Sequence, residues 1–448
     1  MPADEASSRR RGLLLDLAPL RESPAYARFW ASGVASGIGT QLTAVAIGIH
    51  VYTLTGSTAS VALVGGLALL PMVLVGIFGG TLVDAYDRRR VLIVASSISF
   101  VAPVGIAALA WAQVDTPWPY YLFTTLSSTV GALVGAARFA IHPRLVPVRL
   151  LPAVAALGGI SAGLQSAVGP ALAGILVATV GFAWTYSIDV VLFVVGFWGI
   201  LSLPAITPVG AARPGLAAVV DGLRFLRTAR NLRTAIGLQV AAFAFGRSYA
   251  ILPAVGALVV GGSAWTVGVL TAAGAVGVVV SGLLSGRLGR VRHHGRAIMV
   301  ATSGVAAAVG VFGLLLLAFG GGAGSGSGGG LAGSPPVESV RPIDVGALLA
   351  LCGILAVAGA ADNVAGIFRT TMMQAATPDA MRGRLQGLYT LVLTAGPRLG
   401  DVFAGFLAAL GALWFPPLLG AVLIGAVVLA YHRARPAFRT YDAEEPVA

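Results

Sequence analysis

Gly79-Gly80-Thr81-Leu82-Val83-Asp84-Ala85-Tyr86-Asp87-Arg88-Arg89-Arg90-Val91-Leu92 is a short charged stretch pinched between two long apolar runs. An acid and three consecutive arginines stand where two apolar helices would meet. The runs on either side, Val61 to Val83 and Val91 to Ala112, and a third from Phe182 to Leu203, exceed the roughly 18 residues that mark a membrane span. In lipid every backbone polar group must be satisfied within the segment, so such runs are expected to be helices. Alternating strand patterns, the mark of a membrane barrel, are absent from the sequence.

Composition points the same way. Of 448 residues, 57% are hydrophobic and only 10% charged, against about 25% charged in soluble domains. The net charge is +12 and all 29 basic residues are arginine. A basic chain suggests nucleic acid, but arginines in the loops between apolar runs are explained better by membrane topology, and no nucleic-acid partner is expected. The single cysteine, Cys352, lies in an apolar run and offers neither a disulfide nor a metal site. No cleavable leader is visible before the first run, which is expected to act as its own insertion signal.

The expected fold is all-α, with twelve transmembrane helices at 30–52, 61–83, 91–112, 119–141, 156–179, 182–203, 234–260, 265–288, 297–319, 344–368, 386–409 and 412–431. Arginines concentrate on one side of this scheme. Arg9, Arg10, Arg11, Arg21 and Arg28 precede the first span, and Arg88, Arg89 and Arg90 follow the second. Further on, the same side carries Arg144, Arg149, Arg213, Arg224, Arg227, Arg230, Arg233, Arg287, Arg290, Arg292, Arg296, Arg382, Arg384, Arg433, Arg435 and Arg439, whereas the opposite loops carry only Arg341. The bias predicts a multi-pass protein of the cell membrane, inner or plasma, with both termini in the cytoplasm.

The expected organisation is a cytoplasmic tail at 1–28, a six-helix half at 29–203, a cytoplasmic linker at 204–232, a second six-helix half at 233–431 and a cytoplasmic tail at 432–448. Within the linker, the stretch from Asp221 to Arg227 is expected to form an amphipathic surface helix. The Gly/Ser-rich stretch within 320–341 reads as a flexible external loop. The halves echo each other as pseudo-repeats. Gly76, Gly80 and Arg90 recur as Gly282, Gly286 and Arg296; Arg138 and Pro147 recur as Arg369 and Pro378; Gly169-Pro170 recurs as Gly396-Pro397. Parallel six-span repeats are found in one transporter architecture.

These residues resemble the major facilitator superfamily. The match is Gly80-x-Leu82-x-Asp84-x-x-x-Arg88-Arg89, similar to the family's signature between spans two and three, although Asp87 stands where a glycine is usual and Ala85 where a basic residue is usual. Asp-Arg-Arg-Arg here is similar to the enterobactin-exporter-like and drug:proton antiporter branch. So are Gly39-Thr40-Gln41-Leu42-Thr43, Val51-Tyr52-x-Leu54-Thr55-Gly56-Ser57, Arg138-Phe139-Ala140-x-x-Pro143-x-Leu145-Val146-Pro147 and Arg382-Gly383-Arg384-Leu385-Gln386-Gly387. The resemblance implies the major facilitator fold and a gate in which Asp84 meets a positive helix end and nearby arginines. Arg138 and Arg369 are candidate gate partners or snorkelling arginines. In the second half Arg290 takes the place aligned with Asp84, so the matching gate would lack its acid.

Gly163, Gly169, Pro170 and Gly174 resemble the family's antiporter signature, Gly-Pro-x-x-Gly-Gly, with Ala173 in place of one glycine. The resemblance implies export in exchange for protons; close packing of small residues is the plain alternative. Ionisable groups within spans are functional candidates by cost alone. Arg247 lies in span seven, Asp362 beside Asn363 in span ten, and Arg398 and Asp401 three apart in span eleven, on one helix face. Arg247 and Asp362 form the preferred cavity pair, since the resemblance implies that spans one, four, seven and ten line the cavity. Asp362 or Asp401 is expected to carry a proton, while Arg398 and Asp401 have mutual neutralisation as an alternative. Gln41 is a candidate substrate contact, and His50 is read as packing. Asp189, in the outer part of span six, is attributed to a nearby helix N-terminus.

The sequence therefore reads as a secondary active transporter, a proton-driven exporter of small amphipathic molecules of drug or siderophore type. The alternatives are a nutrient importer, or a receptor or assembly protein that keeps the fold without transport. Motifs for hydrolytic, phosphoryl-transfer or metal chemistry are absent from the sequence, so no enzyme activity and no cofactor are expected. The expected partners are a small-molecule substrate, protons and the lipid bilayer, with no oligomer required.

Overall fold

The computed structural model describes residues 17–203, 216–285, 291–320 and 342–442. These segments are helical almost throughout. The main helices are α1 (Pro24–Thr55), α2 (Thr58–Ala85), α3 (Arg88–Trp111), α4 (Trp118–Leu145), α5 (Leu151–Leu201), α6 (Leu216–Thr228), α7 (Arg230–Gly246), α8 (Ala264–Leu283), α9 (His294–Gly320), α10 (Val345–Ala376), α11 (Asp379–Leu410) and α12 (Phe415–Ala434). Ten helical stretches among the described residues are long and apolar enough to cross a membrane. The N-terminal tail to residue 16, the Gly/Ser loop at 321–341 and the last residues at 443–448 lie outside the described residues, as do Arg287 and Arg290.

Local chemistry sets the helix ends. Ser23 caps α1 by accepting from the Tyr26 N–H at 3.2 Å, with Pro24 at the first helical position. Asp87 caps α3 by accepting from Arg90 N–H at 3.0 Å. One of the two residues that depart from the signature loop is therefore the one that starts the third span. Asp344 does the same for α10, accepting from Ala347 N–H at 2.9 Å.

Three spans differ from the expectation of simple separate helices. Spans five and six appear as one run, α5, bent at Gly181, whose φ of +79° only glycine adopts without strain. Span seven is broken. It runs as α7 to Gly246, opens at Arg247 and Ser248, and resumes as a short 3₁₀ turn at Tyr249–Ile251 and a helical turn at Leu252–Val255. It finishes in a π-turn at Gly256–Val260. The linker helix α6 extends further than the stretch read from sequence.

Helix packing follows from these elements. α1 lies along α5, and α4 packs against α2 and α3. α7 packs against α11 and α12, and α10 against α8 and α9. Two seams join these sets, one between α2 and α11 and one between the first part of α5 and α8. Both are built on small residues. A Cβ added at Gly405 would stand 2.5 Å from Ala62 Cβ, and one at Gly66 3.0 Å from Val402. In the other seam, Gly174 and Gly268 face each other, each Cβ position within 3 Å of the partner's backbone.

The same close approach holds α8 to α10, where a Cβ at Gly277 would lie 1.8 Å from the Ala356 carbonyl. Gly277→Ala is expected to cost about 1–3 kcal/mol through overpacking. Gly353→Ala, where nothing lies within 4 Å of the added carbon, should be neutral or mildly stabilising. Thermal unfolding of the two purified variants in one detergent checks the contrast.

Candidate functional site: a largely apolar central cavity

A cavity of about 1020 Å³ lies between the two sets of helices. Its wall comes from α5, α8 and α10, from the broken seventh span, from α9, and from Gln41 of α1. α5 contributes Gly159, Gly163, Ser166 and Pro170, and α8 contributes Thr271, Gly274 and Val278. Most of the wall is apolar, and the polar groups are few and placed. The cavity extends to Ala156 and Leu283, the start of α5 and the end of α8, and so toward the arginine-rich end of the bundle.

Arg247 is the cation of this wall, and the break in span seven places it there. Its side chain lies over the rings of Phe243 and Tyr249, 5.2 Å and 5.0 Å from their centroids. Such stacking favours a desolvated guanidinium. The carboxylates of Asp362 and Asp401 both act on it electrostatically. Asp362 and Asn363 share the α10 wall, and Asn363 donates to Ser281 Oγ at 2.9 Å, which fixes α10 against α8. The expected cavity pair, Arg247 and Asp362, is thus brought to one surface.

Asp401 and Arg398 are placed differently. They lie behind the wall, where α11 crosses α2 and the broken span. Asp401 Oδ1 accepts from the Ala250 N–H at 3.2 Å, so this carboxylate caps the resumed half of span seven. The guanidinium of Arg398 reaches Gly65 on α2, where an added Cβ would stand 3.4 Å from Nη1. Arg398 is also the leading positive charge acting on Asp401. Gly400 makes the approach possible, since its own Cβ would collide with the Phe243 carbonyl at 2.3 Å and with Arg247.

The antiporter-like residues divide by neighbour. Gly163 and Pro170 line the cavity. Gly169 instead meets Gln41 of α1, and Gly174 meets α8. Of the gating residues, the side chains of Asp84 and its neighbours at 77–85, including the position of Gly80, lie outside the described residues. Arg89 donates to the Leu201 carbonyl at 2.9 Å and so satisfies the C-terminal end of α5. Arg138 lies over Phe29, 5.0 Å from the ring centroid, and reaches Gly33 on α1. Arg369 is 0% exposed, and Tyr389 of α11 and the charge of Asp362 act on its guanidinium. Neither arginine lines the cavity.

Sequence reasoning gave two residues too small a part. Asp189 is 5% exposed and sits in the third turn after the Gly181 bend, too deep for a helix end to explain it. It accepts from the Thr43 hydroxyl at 2.6 Å. His50 is packed, as expected, but also shares a 3.2 Å hydrogen bond with Tyr186.

Comparison with known proteins agrees with this geometry. The family profile described as "Transmembrane secretion effector" matches residues 15–327. The chain is 28% identical over 427 residues to the enterobactin exporter EntS of Citrobacter koseri, covering 94% of each chain. It is 27% identical over 431 residues to that of Shigella boydii, again covering 94% of each. Among solved structures, the nucleoside transporter NupG, as a D323A mutant, superposes with a TM-score of 0.65 at 14% identity, covering 91% of this chain and 100% of that one. A bacterial homologue of the iron transporter ferroportin, in an inward-facing state, gives 0.62 at 14% identity, covering 90% and 98%. At such identities the structural likeness establishes the fold, that of a multi-pass membrane transporter.

The capping role of Asp401 is separable from its charge. Asp401→Asn keeps an oxygen for the Ala250 N–H, whereas Asp401→Ala does not. The alanine variant is expected to be less stable than the asparagine variant by about 1 kcal/mol, the value of a helix cap. Parallel thermal melts of the two proteins check it.

Proposed function

We propose a function from the premise that the chain belongs to the transmembrane secretion effector family, a group of major facilitator transporters and not of enzymes: it exports small amphipathic molecules in exchange for protons. The observation that carries this reading is the central cavity. Its volume of about 1020 Å³ is at the upper end for small-molecule sites, and its apolar wall is interrupted by Arg247, Asp362 and Asn363. An apolar wall with one stacked cation suits an aromatic, weakly acidic solute such as a catecholate. The likeness to enterobactin exporters over 94% of the chain supports the siderophore class over a general drug pump.

In this reading the chain crosses the membrane twelve times. Ten apolar stretches are counted directly; α4 adds one, and α5, divided at Gly181, supplies two where one was counted. Both termini then lie on the cytoplasmic side, where the arginines are. Six spans precede the linker helix α6 and six follow it. The cavity opens toward the cytoplasm, as an exporter in its loading state requires. Transport proceeds by rocking of the two six-span halves along the α2–α11 and α5–α8 seams.

Coupling falls to Asp362 and Asp401, which share Arg247. A carboxylate beside a guanidinium stays ionised; when substrate draws the guanidinium away, the same carboxylate in a low-dielectric wall favours the proton. Arg247 therefore exchanges its partner between carboxylate and solute, and the proton replaces it. Asp84 and Arg88, with Arg138 and Arg369, are the proposed latches at the cytoplasmic end. A membrane-buried charge at such a position is costly, which suits contacts that form in only one of two states.

Inside-out vesicles test the reading, with ethidium and a synthetic tricatecholate as probes. Acidification of the lumen is expected to drive uptake of the tricatecholate above that of vesicles without the protein, and a protonophore to abolish it. Asp362→Asn should reduce that uptake to background, whereas Arg247→Ala should impair tricatecholate uptake more than ethidium uptake. Uptake unaffected by the protonophore would rule out proton exchange. Probe movement in the opposite direction under the same gradient would make the protein an importer.

A further inference from the structure

Behind α1, away from the cavity, a second set of titratable groups lies in the seam between α1 and the part of α5 that follows Gly181. Asp189 is seated there at 5% exposure. Oδ2 accepts from the Thr43 hydroxyl at 2.6 Å, and Oδ1 is turned onto Gly39, where a Cβ would lie 2.2 Å away. Gly39 and Thr43, four apart, thus form one notch on one face of α1, and only a residue without a side chain at 39 leaves room for the carboxylate. Among the described residues, no arginine acts on Asp189. The groups facing it are Gly39 and Thr43 from α1 and, one turn back on α5, Tyr186. From α3, which also packs on α5, Phe100 meets Phe193 and Trp111 donates to Ser187.

Tyr186, three residues before Asp189 on α5, leads from it toward the far end of the bundle. The Tyr186 hydroxyl and His50 Nδ1 share a hydrogen bond of 3.2 Å. The His50 ring is 9% exposed, stacked on Phe182 at 4.0 Å and set edge-on to Tyr120 at 4.8 Å. The Tyr120 hydroxyl donates to the Val114 carbonyl at 3.4 Å, in the turn between α3 and α4. Asp115, exposed in that turn, is within electrostatic reach of His50. Asp115, His50, Tyr186 and Asp189 thus lie in order from exposed turn to buried carboxylate, with a hydrogen bond between His50 and Tyr186, two groups that can both donate and accept protons.

We propose that Asp189 is a second proton-binding site, filled from the Asp115 end through His50 and Tyr186, and that its protonation governs how firmly α1 is held to α5. The proton comes from solvent and comes to rest on Oδ1, while Oδ2 keeps the Thr43 hydrogen bond. Charged, the carboxylate grips Thr43 strongly, because hydrogen bonds to an ionised acceptor are about twice as strong as neutral ones. Protonated, that grip relaxes. α1 transmits the change: Gln41, in the cavity wall, is two residues from both Gly39 and Thr43 and so projects about 200° around the helix from them. One face of α1 therefore reads the proton while the opposite face forms the substrate wall. The role in transport rests on the exporter reading above; the proton site itself does not.

The test is infrared difference spectroscopy of the purified full-length protein between alkaline and acid pH, with the proton as probe and the carboxylic-acid C=O band as readout. In a background of Asp362→Asn with Asp401→Asn, a buried-carboxyl band is expected to remain and to disappear on adding D189N. T43V should keep that band but shift its frequency, because its hydrogen bond is gone. H50F, which preserves the ring stack, should slow the band's shift in heavy water. A band that survives D189N, or its absence from the double-variant background, overturns the site. An unshifted band in T43V overturns it as well, even if D189N fails to fold. Exchange unchanged in H50F overturns the route. Failure of gradient-driven uptake in vesicles with the Asp189 band intact would instead count against the exporter reading alone.

Discussion

Helix against helix with no side chain between them is the contact on which this structure depends. Lipid removes the hydrophobic drive that brings helices together in water, so association rests on packing and on internal hydrogen bonds. The α5–α8 seam meets this demand with Gly174 against Gly268, where backbone touches backbone. The α2–α11 seam uses Gly65, Gly66 and Gly76 from one side and Gly405 from the other, and the Thr58 hydroxyl donates to the Gly405 carbonyl at 2.9 Å. At the α5–α8 seam backbone lies on backbone, while at the α2–α11 seam Arg398, Val402 and Leu391 of α11 fit against the glycines of α2. Such seams can hold two helices tightly and still let them tilt, which is the motion that a cavity lying between them needs.

The same medium explains why the broken seventh span is tied to α11. A helix that opens at Arg247 leaves free N–H groups at the start of its second part, and in lipid these are expensive. Asp401 supplies the acceptor for Ala250, and Gly400 lets α11 come close enough to do so. The break then turns Arg247 toward the cavity, with Phe243 and Tyr249 as its stacking surfaces. Packing, capping and the placing of a charge are one arrangement here. Asp401 thus has a structural duty that its position in the sequence does not reveal.

Much of the fold was legible because apolar runs and arginine placement report directly on the membrane. Arg247 and Asp362 were also legible as cavity candidates, since a charge in an apolar run is conspicuous, and Gln41 as a candidate substrate contact; that Gly163 and Pro170 line the cavity was not read from the sequence. What stayed hidden was pairing across distance. Nothing local says that Thr43 meets Asp189, 146 residues on, or that Gly39 is small because a carboxylate lies over it. The break at Arg247 left a faint signal in Ser248 and in Pro253, which cannot continue a regular ladder of helical hydrogen bonds. Gly181 was visible only as a gap between two runs; its positive φ, which lets the backbone bend with scarcely an interruption in helix, is a property of the folded chain.

Buried charge in this molecule comes in two kinds, and the difference bears on mechanism. Around the cavity, Arg247 and Arg398 stand near Asp362 and Asp401, so that the charges balance locally and any one of them can change partner without leaving another bare. Elsewhere two groups are more isolated among the described residues: Asp189 accepts from the Thr43 hydroxyl, and Arg138 lies over a phenyl ring. Desolvating a lone ion costs several kcal/mol even after relaxation, so each solitary group raises the energy of the conformation in which it is lone. Under the proposed rocking of the two halves, a second conformation would give such a group a partner, solvent or a proton. In the proposed exchange of solute for proton, the isolated charges would act as stored differences between states, and the cluster at the cavity as the place where substrate and proton decide between them.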